Sequence, residues 1–152
     1  SREGKHSGSI GAADASGTSP QNEEEDRSVR YVAFREALYP GGDVHALNDT
    51  SGPQHQAMTW LADEDPSALP VSDSSDKSLH YHRMRQRYAL ATLYYATEGK
   101  EWNRECHFLS GEHECNWNEG GIGVFCHGSD KLIHSEVAAL LDLRANNLKG
   151  TL

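Results

Sequence analysis

Hydrophobic positions are spread very unevenly along the chain. Residues 1–28 hold one large aliphatic side chain, Ile10, among small and polar residues, and they run into the acidic stretch Glu23-Glu24-Glu25-Asp26. Nothing there offsets the entropy of ordering a backbone, so 1–28 reads as a disordered acidic, Gly- and Ser-rich linker. Periodicity begins at Val29. In VRYVAFREAL the residues Tyr31, Phe34 and Leu38 recur at i, i+3, i+7, which predicts a short helix ended by Pro40-Gly41-Gly42. A second helix is expected in NDTSGPQHQAMTWLADEDP. Ser51 would be its N-cap, Pro53 its first turn, Ala57, Trp60 and Leu61 its apolar stripe, and Asp65-Pro66 its stop. With the polar connector 66–76, these short helices make up a segment 29–76.

The strongest periodic stretch covers 77–97, KSLHYHRMRQRYALATLYYAT. Met84, Tyr88, Ala91 and Tyr95 fall on one face, and Leu90, Leu93 and Tyr94 widen it. The second half is apolar nearly all round and must be covered by other parts of the fold. Gly99 is placed to be the C-cap residue. Arg83, Arg85 and Arg87 do not form one basic patch, because successive i+2 steps turn a helix by about 200°. They read as a solvated helix flank.

Periodicity then fades. Residues 99–128, GKEWNRECHFLSGEHECNWNEGGIGVFCHG, are dense in turn formers and predict a loop-rich module. Trp102, Phe108, Leu109, Trp117, Val124 and Phe125 are its candidate anchors. Its three cysteines, Cys106, Cys115 and Cys126, allow one disulfide plus a thiol, a metal site, or three buried thiols.

Charge and composition narrow the function classes. Apolar residues make up 36% of the chain, below the roughly 45–50% of a typical globular domain, so only part of it builds a core. A net charge of −9 speaks against nucleic-acid binding, which needs clustered Lys and Arg. Cys106, His107, His113, Cys115, Cys126 and His127 supply donor types that suit zinc. Their spacing matches no standard finger, and a small zinc-binding Cys/His module is the alternative reading. A thiol–imidazole pair such as Cys106 with His113 can be drawn, but no nucleophile elbow, phosphate loop or H-E-x-x-H motif accompanies it. No catalytic residue, cofactor or metal ligand is assigned, and the chain is expected not to be an enzyme. Asn48-Asp49-Thr50 is an N-x-T sequon, a glycan acceptor if the chain is secreted and otherwise an unmodified turn.

Near its end the chain reads LDLRANNLKGTL, in which Leu141, Leu143, Asn146, Leu148 and Gly150 make an L-x-L-x-x-N-x-L-x-G pattern. Together with Trp102, Cys115-x-Trp117 and Gly123-Val124-x-Cys126, it resembles plant-type extracellular leucine-rich repeat proteins. The stretch from about 50 to 152 is most similar to diatom and algal leucine-rich repeat ectodomains. Five residues separate Trp117 from Gly123 where the plant pattern has one, and Cys106 has no place in the two-cysteine pattern.

The resemblance implies an α/β leucine-rich repeat solenoid of which this chain is the amino-terminal cap region. The cap would span 77–134 and the first repeat 135–152. It implies a Cys115–Cys126 disulfide, with pairings through Cys106 as the alternatives. Leu141 and Leu143 would share the core side of a strand. Asn146 would bond backbone groups of neighbouring coils, Leu148 would return to the core, and Gly150 would free the backbone to turn. One coil cannot bury its own face, so the chain is expected to be a fragment of a longer protein. The implied function is recognition in a receptor-like or secreted protein, extracellular or at the plasma membrane. A protein, peptide or glycan ligand would bind on later repeats, and any membrane anchor would lie outside these residues.

Overall fold

The computed structural model describes residues 28–73, 75, 78–127 and 136–150. Apart from Ser28, the disordered linker expected over 1–28 lies outside the described residues, as do 135, 151 and 152 of the expected first repeat.

Helix α1, Val29–Leu38, starts at Ser28, whose hydroxyl accepts a hydrogen bond from the Tyr31 backbone N–H at 3.0 Å. That contact satisfies one of the donors every helix start leaves open. The periodic face is the buried one, with Tyr31, Phe34 and Ala37 inside. A single turn, α2 (His45–Asn48), precedes α3, Pro53–Thr59, which runs on into a π-helical turn at Trp60–Glu64. The N-cap of α3 is Gly52, not Ser51. Ser51 is occupied elsewhere, since its N–H and hydroxyl both donate to Asp49 Oδ1, at 3.0 and 2.7 Å. Proline needs no cap for its missing N–H, so little is lost. Trp60, Leu61 and Ala62 are buried, and the Asp65 N–H closes the wide turn on the Trp60 carbonyl at 2.8 Å.

Helix α4, Leu79–Ala96, is capped by the Ser78 hydroxyl and buries Met84, Arg87, Leu90, Ala91 and Tyr94. Its end differs from the expected one. Thr97 is the C-cap, and the left-handed residue after it is Glu98, at φ 53°. Gly99 is required for a different reason: a Cβ there would sit 2.1 Å from the Tyr94 ring.

Beyond two short 3-10 turns, Gly99–Glu101 and Glu114–Asn116, the chain forms a three-stranded antiparallel sheet. Its strands are β1 (Asn118–Glu119), β2 (Ile122–Cys126) and β3 (Ala138–Asp142), in the order β1-β2-β3. Val124 faces Leu141 across the β2–β3 ladder, and Ala139 is skipped where the register shifts.

The core is one cluster running from Tyr31 and Phe34 through Met58, Leu61, Met84 and Ala91 to Phe108, Trp117 and Val124. A chain of aromatic rings crosses it. Tyr94, Trp102, Phe108, Trp117 and Trp60 lie in sequence at centroid spacings of 5.2, 5.0, 5.1 and 6.2 Å. Such pairs add about 0.5–1.5 kcal/mol each beyond area burial. They provide the cover that the apolar second half of α4 demands. The polar connector is also tied in, with Leu69 buried and Arg30 donating to the Ala62 and Leu69 carbonyls at 2.8 and 3.0 Å.

Candidate interaction surface

Arg87 is the support behind this surface, and it is not on a solvated flank. Its side chain is fully buried between the Trp60 and Trp117 rings, 5.2 and 4.7 Å from their centroids. Nε and Nη2 donate to the two Asp65 carboxylate oxygens at 2.7 Å each, and Nη1 donates to Glu114 Oε1 at 2.7 Å. Nη1 also reaches the Glu112 carbonyl at 3.0 Å, and Nη2 the Ser110 carbonyl. All five guanidinium protons are placed in a fork that lysine could not reproduce. Arg85 is exposed as expected, while Arg83 lies between, its Nε 3.3 Å from Glu114 Oε2. A buried charge survives only when paired and hydrogen-bonded. Asp65 ends the π-turn and Glu114 opens a 3-10 turn, so this one side chain fastens α3, α4 and the loop module together. The Trp117 indole N–H is buried without a hydrogen-bond partner among the described residues, although the ring face receives the cation.

The segment that carries the repeat pattern is fastened to the end of α4 and the loop after it. Asn146, 1% exposed, accepts from the Arg104 N–H at 2.7 Å and donates to the Arg104 carbonyl at 2.9 Å. Asn103 donates to the Ala145 carbonyl at 2.8 Å, Asn147 to the Glu101 carbonyl at 3.1 Å, and the Lys149 N–H to the Thr97 carbonyl at 3.2 Å. Gly150 sits at φ 94°, with a hypothetical Cβ only 2.2 Å from the Ala96 carbonyl oxygen. At the other end of β3, Gln86 of α4 accepts from the Ala138 N–H at 2.6 Å and donates to the Glu136 carbonyl at 3.2 Å.

The leucines of the pattern divide. Leu143 is half-buried against the core, but Leu141 and Leu148 are each 41% exposed. Both are expected on the core side of a coil that needs a further coil to cover it, and neither is covered among the described residues. β3 is the outer strand, so Leu141 has Val124 on one side and no strand on the other among the described residues. Val137 and Leu140 are exposed beside it, at 51% and 58%. Among the described residues one backbone edge of β3 is therefore unpaired, and Leu140 and Leu141, on opposite faces of the strand, are both exposed.

Of the cap anchors, Trp102, Trp117 and Val124 are buried, as is Phe108, while Leu109 and Phe125 are half-buried. Gly123 lies at φ 123°, and a Cβ there would come within 2.2 Å of the Trp117 carbonyl oxygen. That closeness lets the Val124 N–H reach the same carbonyl at 2.8 Å. Cys115 and Cys126 are joined by a disulfide that ties the Glu114–Asn116 turn to the end of β2. Cys106 is a buried thiol whose pKa is raised, first by burial and then by Glu119. Such a thiol is a poor nucleophile and metal ligand, since both roles need the thiolate. His113 turns elsewhere, its Nδ1 accepting from the Cys115 N–H at 3.2 Å and its Nε2 lying 3.4 Å from Glu136 Oε2. Among the described residues no group of three or more His, Cys, Asp or Glu is placed to hold a metal, and no helix is long and apolar enough to cross a membrane.

Sequence reasoning missed Arg87, Asp65 and Glu114. The available signal was an arginine on the same helical face as Met84 and Ala91, which alone does not name its partners. No protein-family model, curated protein or solved structure matches the chain.

Proposed function

We propose that the described residues form the amino-terminal cap of a leucine-rich repeat solenoid, a non-catalytic module of a secreted or membrane-held recognition protein. One observation carries the reading. Among the described residues β3 has an unpaired edge and Leu140, Leu141 and Leu148 are exposed, while Asn146 is buried and bonded to the backbone of the preceding loop. An open apolar strand edge is an aggregation hazard unless something covers it. A stacked coil covers it by continuing the same hydrogen bonding and burying the same leucines.

On this reading the cap seals one end of the stack, and ligand contacts fall on the coils that follow. A strand-lined solenoid surface suits a protein, peptide or glycan ligand. The Cys115–Cys126 bridge fits an oxidising compartment, where disulfides persist.

Reading the transcript past codon 152 tests the proposal. Leucine-rich units should continue at a spacing of about 24 residues, inside the range of such repeats. A stop codon directly after Leu152 would leave β3 with no coil to cover it and would overturn the proposal.

A further inference from the structure

We propose that Asn48 is a site of N-linked glycosylation. The inference rests on the extracellular reading above, but its evidence lies at the far end of the sequence from the repeat segment. Asn48-Asp49-Thr50 is the single N-x-Ser/Thr tripeptide of the chain. A glycan is bulky and is compatible with the folded protein only on its surface, and the fold leaves both the Asn48 and Thr50 side chains exposed.

Residues that hold this turn alternate with residues that it displays. Leu47 is buried, and its carbonyl lies 3.0 Å from His55 Nδ1. The Asp49 carboxylate is folded back onto the N–H and hydroxyl of Ser51, which hold its pKa below the ordinary range. The Asp49 carbonyl accepts from the Gly52 N–H at 2.9 Å, and the Ser51 carbonyl accepts from Gln56 Nε2 at 2.6 Å. Between these pins Asn48 and Thr50 are exposed, and neither side chain makes a hydrogen bond with the described residues. The charged middle residue is turned into the loop, away from competing with the acceptor. An open hollow lined by Gly41, Gly42, Asp43, Val44 and His45 adjoins Asn48 and leaves room for the proximal sugars.

The chemistry needs no redox partner. The Asn48 side-chain nitrogen attacks the anomeric carbon of a lipid-diphosphate-linked oligosaccharide bound to its transferase. The N–C bond forms, the C–O bond to the diphosphate breaks, and the lipid diphosphate leaves with its electron pair. The amide nitrogen gives up one proton to a base of the transferase.

The test is peptide mapping by mass spectrometry of the native protein from its own cells, with thiols alkylated before reduction. The peptide containing Asn48 should carry a glycan mass that peptide N-glycosidase removes, leaving Asp at position 48. In cells expressing variants, N48Q and T50A should lose that mass and T50S should keep it, since only the hydroxyl is needed. A bare Asn48 in protein whose Cys115–Cys126 bridge is oxidised overturns this proposal and leaves the extracellular reading standing. A bare Asn48 together with alkylated Cys115 and Cys126 overturns both.

Discussion

Replacing Arg87 with Met is the sharpest test of what holds this fold together. The methionine chain fills much of the same volume between Trp60 and Trp117, so packing is largely kept. Three charge-assisted bonds to Asp65 and Glu114 and two bonds to the Ser110 and Glu112 carbonyls are lost. Compensation is partial. Asp65 keeps the Ser67 N–H and hydroxyl at 2.8 Å each, and Glu114 keeps Arg83 at 3.3 Å. Asp65 nonetheless stays inside without a cation and Glu114 keeps only the more distant Arg83, and breaking a buried pair in this way costs about 3–5 kcal/mol. Against a total of about 5–15 kcal/mol for a domain, that is a large fraction. With a urea m-value of about 1.5 kcal/mol/M, the unfolding midpoint should fall by roughly 2–3 M. Tryptophan fluorescence is a suitable probe, because Trp60 and Trp117 flank the site. The companion variant D65N/R87M/E114Q removes the stranded charges and should recover much of the loss. An R87M midpoint within about 0.3 M of the parent would refute the claim that the guanidinium fastens the three segments.

Two further outcomes are expected. Asn146→Ala strands the Arg104 N–H and carbonyl and should cost about 1–3 kcal/mol, with amide exchange at Arg104 rising while α4 stays protected. Alkaline pH should destabilise the fold. Burial raises the pKa values of Cys106, Tyr88, Tyr94 and Tyr95, the last to about 12, so the unfolded chain releases these protons first. Stability is then full below the ordinary thiol value of 9.0 and is lost as pH rises through the folded values. Thermal melts should show Tm flat up to that pH and falling above it, and Cys106→Ala should move the onset toward the tyrosine range.

The helices were readable because their apolar spacing is local: Tyr31 and Phe34 on α1, Pro53 opening α3, Met84 and Ala91 on α4. What escaped notice depends on partners far along the chain. Arg87 looks like any helix-flank arginine until Asp65, 22 residues before it, and Glu114, 27 after it, are brought to its two sides. The spacing places Gly99 at a helix end, where glycine commonly takes the left-handed conformation. Its real constraint is the Tyr94 ring, a contact that sequence spacing does not display. Ser51 looked like a cap because serine caps helices, yet Asp49 two residues earlier competes for the same groups. The outward-facing edge of β3 follows from strand order, which the alternation of Leu141 and Leu143 leaves open.

The buried thiol has a consequence for how the molecule keeps its one cross-link. Three cysteines permit three pairings, and a bridge can migrate between them when a thiolate attacks one of its sulfurs. Cys106 is the only group among the described residues that could do so from within. Burial withholds it from approach and disfavours the thiolate that the attack requires. Internal exchange with the Cys115–Cys126 bond is therefore disfavoured while Cys106 stays packed in the core, so the packing of one thiol guards the pairing of the other two.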